Sequence, residues 1–226
     1  MLAIIPDSLI TFRFLGENLF YAQASSSRRC AESTSFFNDA YRGVPPWDIG
    51  RPQPAFTRLA ASENLGTDII DVGCGTGEQA MLFASRGYRV LGIDSAPLAI
   101  EKARAKASQR RSDAEFLVAD ALRLDELHRQ FDVAIDSGLF HVFSDRDRAA
   151  YVESLRAVLP HGGRYYMLCF SDKEPVDWGG PRRVFEREIL NSFSDGWCVN
   201  YIRPARFESA FHGRGGKAWF SKVTKA

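Results

Sequence analysis

The sequence predicts a doubly wound α/β fold built on a mostly parallel sheet. Short apolar runs such as 68–72 and 89–94 alternate with segments of helical periodicity through most of the chain. This alternation is typical of parallel strands joined by right-handed crossovers. A glycine run at 71–80, DVGCGTGEQA, follows the first strand. In nucleotide-binding sheets, the turn after the first strand contacts the ligand. The β-rich segments 197–207 and 216–225 predict a C-terminal antiparallel hairpin, which completes seven strands.

The individual elements follow from periodicity and from the residues that interrupt it. In 146–159 the apolar residues recur three and four positions apart, which favours a helix, and the PHGG that follows ends it. We predict strands at 68–72, 89–94, 115–120, 131–138 and 164–170, and helices at 55–63, 77–87, 96–110, 146–159 and 184–193.

Composition excludes several classes of protein. The chain has 226 residues and a formal net charge of +1, so no overall field would attract nucleic acid or an anionic membrane. The basic segment 101–111 is expected to be solvated surface. The four cysteines include no CxxC pair, which disfavours a zinc site or a disulfide framework and favours a reduced, cytoplasmic setting.

The N-terminal residues differ in character from the rest. Residues 1–33 combine an interrupted apolar segment with the polar stretch QASSSRRCAESTS. This composition predicts a mobile extension ahead of one domain at 34–226. The chain contains no run of 18 uninterrupted apolar residues, so we expect no membrane partner.

The glycine run narrows the class of ligand. Its spacing is GxGxG at 73, 75 and 77, which is neither the GxGxxG of dinucleotide folds nor a P-loop. Asp71 precedes the run, and its carboxylate would repel a pyrophosphate but pair with an ammonium group. A ligand with an amino-acid head is therefore expected.

Two further acids end the next two strands. Asp94, after the second strand, would accept hydrogen bonds from both ribose hydroxyls. Asp120, after the third, would accept from an adenine amino group while the Ala121 N–H donates to the ring. A single strand-end aspartate is often only a helix cap, but three in succession indicate a binding site.

These motifs, taken in order, resemble those of a known family. DVGCGTGEQA, GIDSAP, VADAL and DSGLFHVF are similar to the motifs of the class I S-adenosylmethionine (AdoMet)-dependent methyltransferases, over about residues 55–226. The resemblance implies a Rossmann-like methyltransferase fold with AdoMet as cofactor. The cofactor-binding residues it implies are Asp71, Gly73, Gly75, Thr76, Gly77, Asp94, Ser95, Asp120, Ala121 and Asp136. For Asp136 the alternative is that it fixes the loop after the fourth strand.

A segment upstream of the glycine run resembles one superfamily within that class. VPPWDIGRPQPAF at 44–56 is similar to the thiopurine, thiol and halide methyltransferases, which implies that residues 34–54 form a lid over the cofactor. Phe37, Tyr41 and Trp47 resemble the three aromatic residues on the cofactor side of that superfamily. Trp47 is the expected cofactor contact, and Tyr41 is also a candidate substrate contact. In that superfamily the first two aromatic positions are commonly tryptophan, and the last gap is longer. The alternative is a rigid loop whose tryptophan fills the core.

The acceptor side of the site is less specified. His141 follows the fourth strand and is the candidate general base, the alternative being that it packs against the lid or caps the next helix. Phe140, Trp178 and Arg182 are candidate substrate contacts, and Phe140 could equally belong to the core. No acid cluster for Mg²⁺ can be assembled, so a metal-independent mechanism is expected.

The functional prediction is methyl transfer to a small-molecule nucleophile, with a thiol or another soft anion favoured. Such a nucleophile needs no obligatory base, because the reaction is a displacement that depends on proximity. The alternatives are an O- or N-methyltransferase acting on a small aromatic molecule, and a sensor that binds AdoMet or S-adenosylhomocysteine without turnover. No partner other than a small molecule is expected, and the oligomeric state is not predicted.

Overall fold

A single seven-stranded sheet organises the molecule. The computed structural model describes residues 35–175, 180–210 and 212–226. The strands lie in the order β3-β2-β1-β4-β5-β7-β6. Strands β1 to β5 pair in parallel, and β7 is antiparallel to both β5 and β6. The predicted mostly parallel sheet with a C-terminal antiparallel hairpin is therefore confirmed.

The elements have the following bounds. The strands are β1 (Asp68–Val72), β2 (Arg89–Asp94), β3 (Glu115–Val118), β4 (Val133–Ser137), β5 (Arg164–Phe170), β6 (Trp197–Ser209) and β7 (His212–Lys225). The α-helices are α1 (35–40), α2 (Pro54–Ser62), α3 (Glu78–Ala84), α4 (Pro97–Arg110), α5 (Asp145–Val158) and α6 (Glu186–Ser192), and 3₁₀ turns cover Ala121–Leu127 and Phe140–Val142.

Strand order reverses at the centre of the sheet, which determines where a ligand can bind. β1 pairs with β2 on one side and with β4 on the other, so the connections that leave these strands diverge. The divergence opens a crevice at the carboxyl ends of β1 and β4. The glycine run and the turn after β4 both lie at this crevice.

Local sequence explains the helices that flank it. α4 begins with Pro97 at its first turn and buries Ala103 and Ala107 in the cluster that covers this face of the sheet. These small side chains let the helix approach the strands closely. α5 is capped by Ser144, whose hydroxyl accepts the Asp147 N–H. None of the described helices has the length and apolar character needed to cross a membrane.

The structure also departs from the predicted elements. β3 ends two residues early because Asp120 caps a 3₁₀ turn through the Leu122 N–H. Both strands of the hairpin are longer than predicted, and their last paired residues are Ser209 and His212. Helix α1 was not predicted. The proposed extension at 1–33 lies outside the described residues.

The lid segment (residues 34–54, described from residue 35) is fastened on two sides. Toward α4, Asn38 Oδ1 accepts the Leu98 N–H at 3.0 Å. Toward β6, the Gln53 side chain exchanges two 2.8 Å hydrogen bonds with the backbone of Glu208. The lid segment therefore bridges α4 and the C-terminal hairpin.

Candidate active site

The glycine run forms a tight turn between β1 and α3. Gly73, Gly75 and Gly77 have φ angles of +71°, +55° and +84°, a region that other residues rarely adopt. A Cβ on Gly75 would lie 2.7 Å from the Tyr41 hydroxyl oxygen, and one on Gly73 would lie 3.1 Å from Leu139. The glycines thus allow the lid segment and the turn after β4 to approach the run closely.

Asp94, at the end of β2, holds the glycine run in place. Its Oδ2 accepts the Gly75 N–H and its Oδ1 accepts the Ala96 N–H, both at 2.9 Å. Burial raises the pKa of this carboxyl. Each oxygen retains a lone pair, so the carboxylate can still accept from a ligand hydroxyl.

Asp71 is the most electrostatically exceptional group of the site. It is completely buried, its Oδ2 accepts the Ala80 N–H at 3.0 Å, and its Oδ1 has no hydrogen-bond partner among the described residues. Burial, and the nearby carboxylates of Asp136 and Asp94, raise its pKa to about 8. An orphaned buried oxygen of this kind fits a cationic ligand group.

Asp136, at the end of β4, shapes the turn that follows. Its carboxylate accepts the backbone N–H of Leu139 at 2.7 Å and of Phe140 at 3.0 Å, and the Tyr165 hydroxyl at 2.8 Å. Burial raises its pKa to about 6. The structure therefore shows Asp136 fixing this turn, whereas a contact with the cofactor remains a prediction.

The aromatic residues of the lid segment pack over the run. The Trp47 indole N–H donates to the Tyr41 hydroxyl at 2.9 Å, and the two rings meet edge to face with Phe37 alongside. Tyr41 is buried and Trp47 is half-buried. Aromatic faces near a sulfonium attract its positive charge.

Lys106 joins these parts and was not predicted as a site residue. Its Nζ lies 2.6 Å from Thr76 Oγ1, 3.0 Å from Glu78 Oε1 and 3.4 Å from Asp48 Oδ1. Arg110 pairs with Glu78 as well. Two members of the basic segment that we expected to be solvated therefore support the glycine run and the lid segment.

His141 lies deep beside the turn after β4. It is 4% exposed, its Nδ1 accepts the Phe170 N–H at 3.0 Å, and its ring stacks on Phe170. Burial, with the positive charges of Arg148 and Arg183, lowers its pKa to about 3. The protonated imidazolium is therefore strongly disfavoured, so His141 is a weak proton acceptor, which disfavours its predicted role as a general base.

Two candidate substrate contacts are already engaged by other residues of the fold. Phe140 is completely buried, with its ring against Phe193 and the Arg148 guanidinium. The structure thus places Phe140 in the core, because the turn after β4 directs it under α5. Arg182 pairs with Asp145 and Glu188, so its charge is already matched.

The remaining predicted residues are distributed around the crevice. Asp120 is half-buried and accepts the Leu122 N–H at 2.9 Å, and its neighbour Ala121 opens the 3₁₀ turn. Ser95 is half-buried between Asp94 and the start of α4. Trp178 lies outside the described residues. Within the parts of the chain that the structure describes, no three His, Cys, Asp or Glu side chains cluster as metal ligands would.

Strand order, the glycine turn after β1, acids at the ends of β1 and β2 and an acid just after β3 define one class of protein. That class is the class I AdoMet-dependent methyltransferases, and this chain belongs to it. A family model described as a methyltransferase domain matches residues 69–163.

Known proteins that are similar over a larger part of the chain support the same assignment. A 2-heptyl-1-hydroxyquinolin-4(1H)-one methyltransferase of Mycobacteroides abscessus is 35% identical over 75% of this chain and 79% of its own length. A probable thiol methyltransferase of Arabidopsis thaliana is 29% identical over 62% of each chain. A solved structure described under the conversion of a disulfide bond into a thioacetal group during echinomycin biosynthesis superposes with a TM-score of 0.76, at 32% identity, over 85% of this chain and 92% of that one.

AdoMet is the cofactor of this protein, and the residues present fit it. The unpartnered buried oxygen of Asp71 can receive a cationic group, and Asp94 can accept from hydroxyls. Three glycines keep side chains out of the turn at which the ligand would lie. Cationic and hydroxyl-rich parts of one ligand are thus matched by separate carboxylates.

Proposed function

We propose that this methyltransferase acts on a small molecule whose attacking atom is already electron-rich at neutral pH, a thiolate or another soft anion. AdoMet supplies an electrophilic methyl group when bound. The chain's own residues would hold the two reactants in line and exclude water, which alone accelerates a displacement greatly.

One observation carries this proposal: both titratable side chains of the turn after β4 are committed to hydrogen bonds within the fold. Asp136 accepts two backbone N–H groups and the Tyr165 hydroxyl. His141 accepts the Phe170 N–H through Nδ1, the atom that would have to take up a proton. Neither group is free to remove a proton from the acceptor, so the acceptor should arrive deprotonated.

The comparisons support a small acceptor, and two of the relatives are described with sulfur chemistry. The Arabidopsis relative is called a probable thiol methyltransferase, and the echinomycin structure concerns the sulfur atoms of a disulfide. A thiol whose pKa is near the ambient pH supplies enough thiolate without a base.

A second candidate acceptor is an aromatic ring with an acidic hydroxyl group. The relative from Mycobacteroides abscessus, which aligns with three quarters of this chain, is named for a hydroxyquinolinone. Such an acceptor shares the essential property with a thiol, because an acidic hydroxyl is also ionised without help from the protein. Aromatic rings of the lid segment and of Phe207 could flank a flat molecule.

The test is S-adenosylhomocysteine formation over paired acceptors. Thiophenol and phenol share one ring and differ in the acidity of the attacking atom; 1-hydroxyquinolin-4(1H)-one and 4-quinolone differ by the acidic hydroxyl. We expect turnover of the acidic member of at least one pair, with a rate that rises with pH only as that acceptor ionises. Faster turnover of phenol or 4-quinolone would overturn the proposal. AdoMet binding without turnover of any acceptor would instead favour a sensor.

A further inference from the structure

We propose that His141 is a fixed hydrogen-bond donor that orients the methyl acceptor through its Nε2–H group. This inference rests on the proposed function, since it assigns a contact to the same acceptor site. It implies an acceptor that presents a lone pair to the protein, such as an oxide, carbonyl or thiolate, next to or at the attacking atom.

The first step is the tautomer. A neutral imidazole has one N–H donor and one bare nitrogen. In His141 the bare nitrogen is Nδ1, because it accepts the backbone N–H of Phe170 at 3.0 Å. The proton must therefore reside on Nε2, and a hydrogen bond to one ring nitrogen fixes the state of the other.

The second step is the orientation of the ring. The imidazole stacks on Phe170 with a centroid distance of 5.2 Å and an interplanar angle of 12°, and Phe207 lies 5.7 Å away on a tilted face. A ring flip would remove the acceptor from the buried Phe170 N–H, and leaving a buried N–H unpaired is unfavourable. Packing and the hydrogen bond thus hold Nε2 in one place.

The third step is the charge. Arg148 on α5 and Arg183 after β5 place positive charge near the ring, and the aromatic rings of Phe170 and Phe207 complete its surroundings. The carboxylate of Asp136 is occupied by the turn, as described above. A second proton on this imidazole is therefore strongly disfavoured, and the group stays a neutral donor across the physiological range.

The fourth step is where the donor lies. A Cβ on Gly138 would lie 3.5 Å from Nε2, which places Nε2 at the turn after β4. The next residue of that turn, Leu139, lies against Gly73 of the glycine run. No hydrogen bond joins Nε2 to any of the described residues, in contrast to Nδ1. A spare donor on a fixed ring therefore lies beside the cofactor-binding turn.

A glycine at position 138 is consistent with this assignment. Its φ is +93°, and a Cβ there would lie 2.9 Å from the Phe207 ring. Glycine thus allows Phe207 to approach the turn that carries the donor. Phe207 and His141 together would form one edge of the acceptor site.

The tautomer can be tested without any acceptor. ¹⁵N-histidine NMR of the full-length protein with bound S-adenosylhomocysteine should show one histidine, absent in His141→Asn, that stays the neutral Nε2–H form from pH 5 to 9. A His141 signal that titrates between pH 5.5 and 7.5, or that shows the Nδ1–H form, would overturn the inference. This readout stands even if the acceptor panel yields no substrate.

The role can be tested with two variants that divide the functions of the ring. His141→Asn can keep the acceptor for the Phe170 N–H but has no donor near the Nε2 position; His141→Gln can place an amide N–H near that position. With the best acceptor of the panel, we expect His141→Asn to raise the acceptor KM about 10- to 100-fold and His141→Gln to raise it less than about 5-fold. The dissociation constant of AdoMet should stay within about 3-fold in both variants.

Other outcomes would contradict the donor role. If His141 had a purely structural role, His141→Asn would be the milder change, because it preserves the bond to Phe170. If His141 were a general base, both substitutions would abolish kcat, and the pH profile of the native protein would show an additional limb that His141→Gln removes. Either result would overturn the proposal while leaving the choice of acceptor intact.

Discussion

The Nζ atom of Lys106 donates a 2.6 Å hydrogen bond to the hydroxyl oxygen of Thr76, and so ties the middle of α4 to the glycine run. The same ammonium group reaches Glu78 at the start of α3 and Asp48 in the lid segment. Glu78 is buried, and although burial raises its pKa, the hydrogen bonds from Arg110 and Lys106 lower it below its usual value. Lys106 therefore connects the cofactor turn with the lid segment.

Replacing Lys106 should weaken AdoMet binding more than folding. Lys106→Met removes the bond to Thr76 and the contact with Asp48, whereas Glu78 keeps its pair with Arg110. We expect the dissociation constant of AdoMet to rise about tenfold, equivalent to about 1.4 kcal/mol. Isothermal titration calorimetry measures it directly.

The matched control is Lys102→Met on the same helix. Lys102 Nζ donates to the carbonyl oxygen of Gly43 at 2.6 Å, and so contacts the lid segment but not the glycine run. We expect it to change the AdoMet dissociation constant less than about 3-fold. Equal effects of the two substitutions would show that fastening the lid segment, and not the link to Thr76, is what matters.

A methyl group on Gly75 should disturb the lid segment. In Gly75→Ala the new Cβ would lie 2.7 Å from the Tyr41 hydroxyl oxygen, so Tyr41 and its bonded partner Trp47 must move. We expect AdoMet affinity to fall about tenfold or more, in addition to about 1 kcal/mol of backbone strain. Calorimetry and thermal unfolding separate the two effects.

Gly50→Ala supplies the comparison for backbone strain alone. Gly50 also has a positive φ, +68°, but a Cβ there would meet nothing within 4 Å. It should lower the free energy of unfolding by a similar amount, about 1 kcal/mol, and leave AdoMet affinity nearly unchanged. Loss of affinity in both variants would assign the effect to general destabilisation.

Asp71 should make the ligand-free protein less stable as the pH rises. Its pKa is about 8 in the folded protein against an ordinary 3.8, so between these pH values the folded state holds a proton that the unfolded state has lost. Stability therefore falls as pH rises from about 4 to 8. Asp71→Asn should flatten this decline in thermal unfolding measured from pH 5 to 9, while abolishing the contact with a cationic ligand. A decline as steep in the variant as in the native protein would contradict the assignment.

Cofactor binding should release protons at neutral pH for the same reason. A positive group beside Asp71 favours its ionised form, so binding below about pH 8 must expel the proton that the carboxyl carries. Calorimetric titration at pH 7 in two buffers of different ionisation enthalpy should give different apparent heats of binding. Equal heats, or uptake of protons, would contradict this prediction.

Much of the fold and part of the site could be predicted from the sequence, because their signals are local. Apolar runs that alternate with segments of helical periodicity predict the parallel strands of the sheet. Asp71, Asp94 and Asp120 lie at the end of these runs in the sequence, so they could be identified as well. Lys106 could not be found in this way. It belongs to a basic segment typical of solvated helices, and only the packing of α4 brings it to Thr76.

The acceptor side shows the same limit. The prediction of a base at His141 used its position after β4, which is correct, but the state of its ring depends on a bond to Phe170 on another strand. The sequence left Phe140 open between the core and the substrate surface, and its burial depends on packing against Phe193, which is distant in the sequence, and against Arg148 on α5. Phe207 was not predicted as a site residue, since an aromatic residue in a β-strand is ordinary.

The most direct test of the account is calorimetric titration with AdoMet of the native protein, Asp94→Ala and Asp132→Ala. Both carboxylates accept two backbone N–H groups, but Asp94 does so at the carboxyl edge of the sheet and Asp132 at the opposite edge, from Thr67 and Asp68. We predict binding by the native protein, a loss of about 100-fold or more in Asp94→Ala, and less than about 3-fold in Asp132→Ala. No binding by the native protein, or equal effects of the two substitutions, would contradict it.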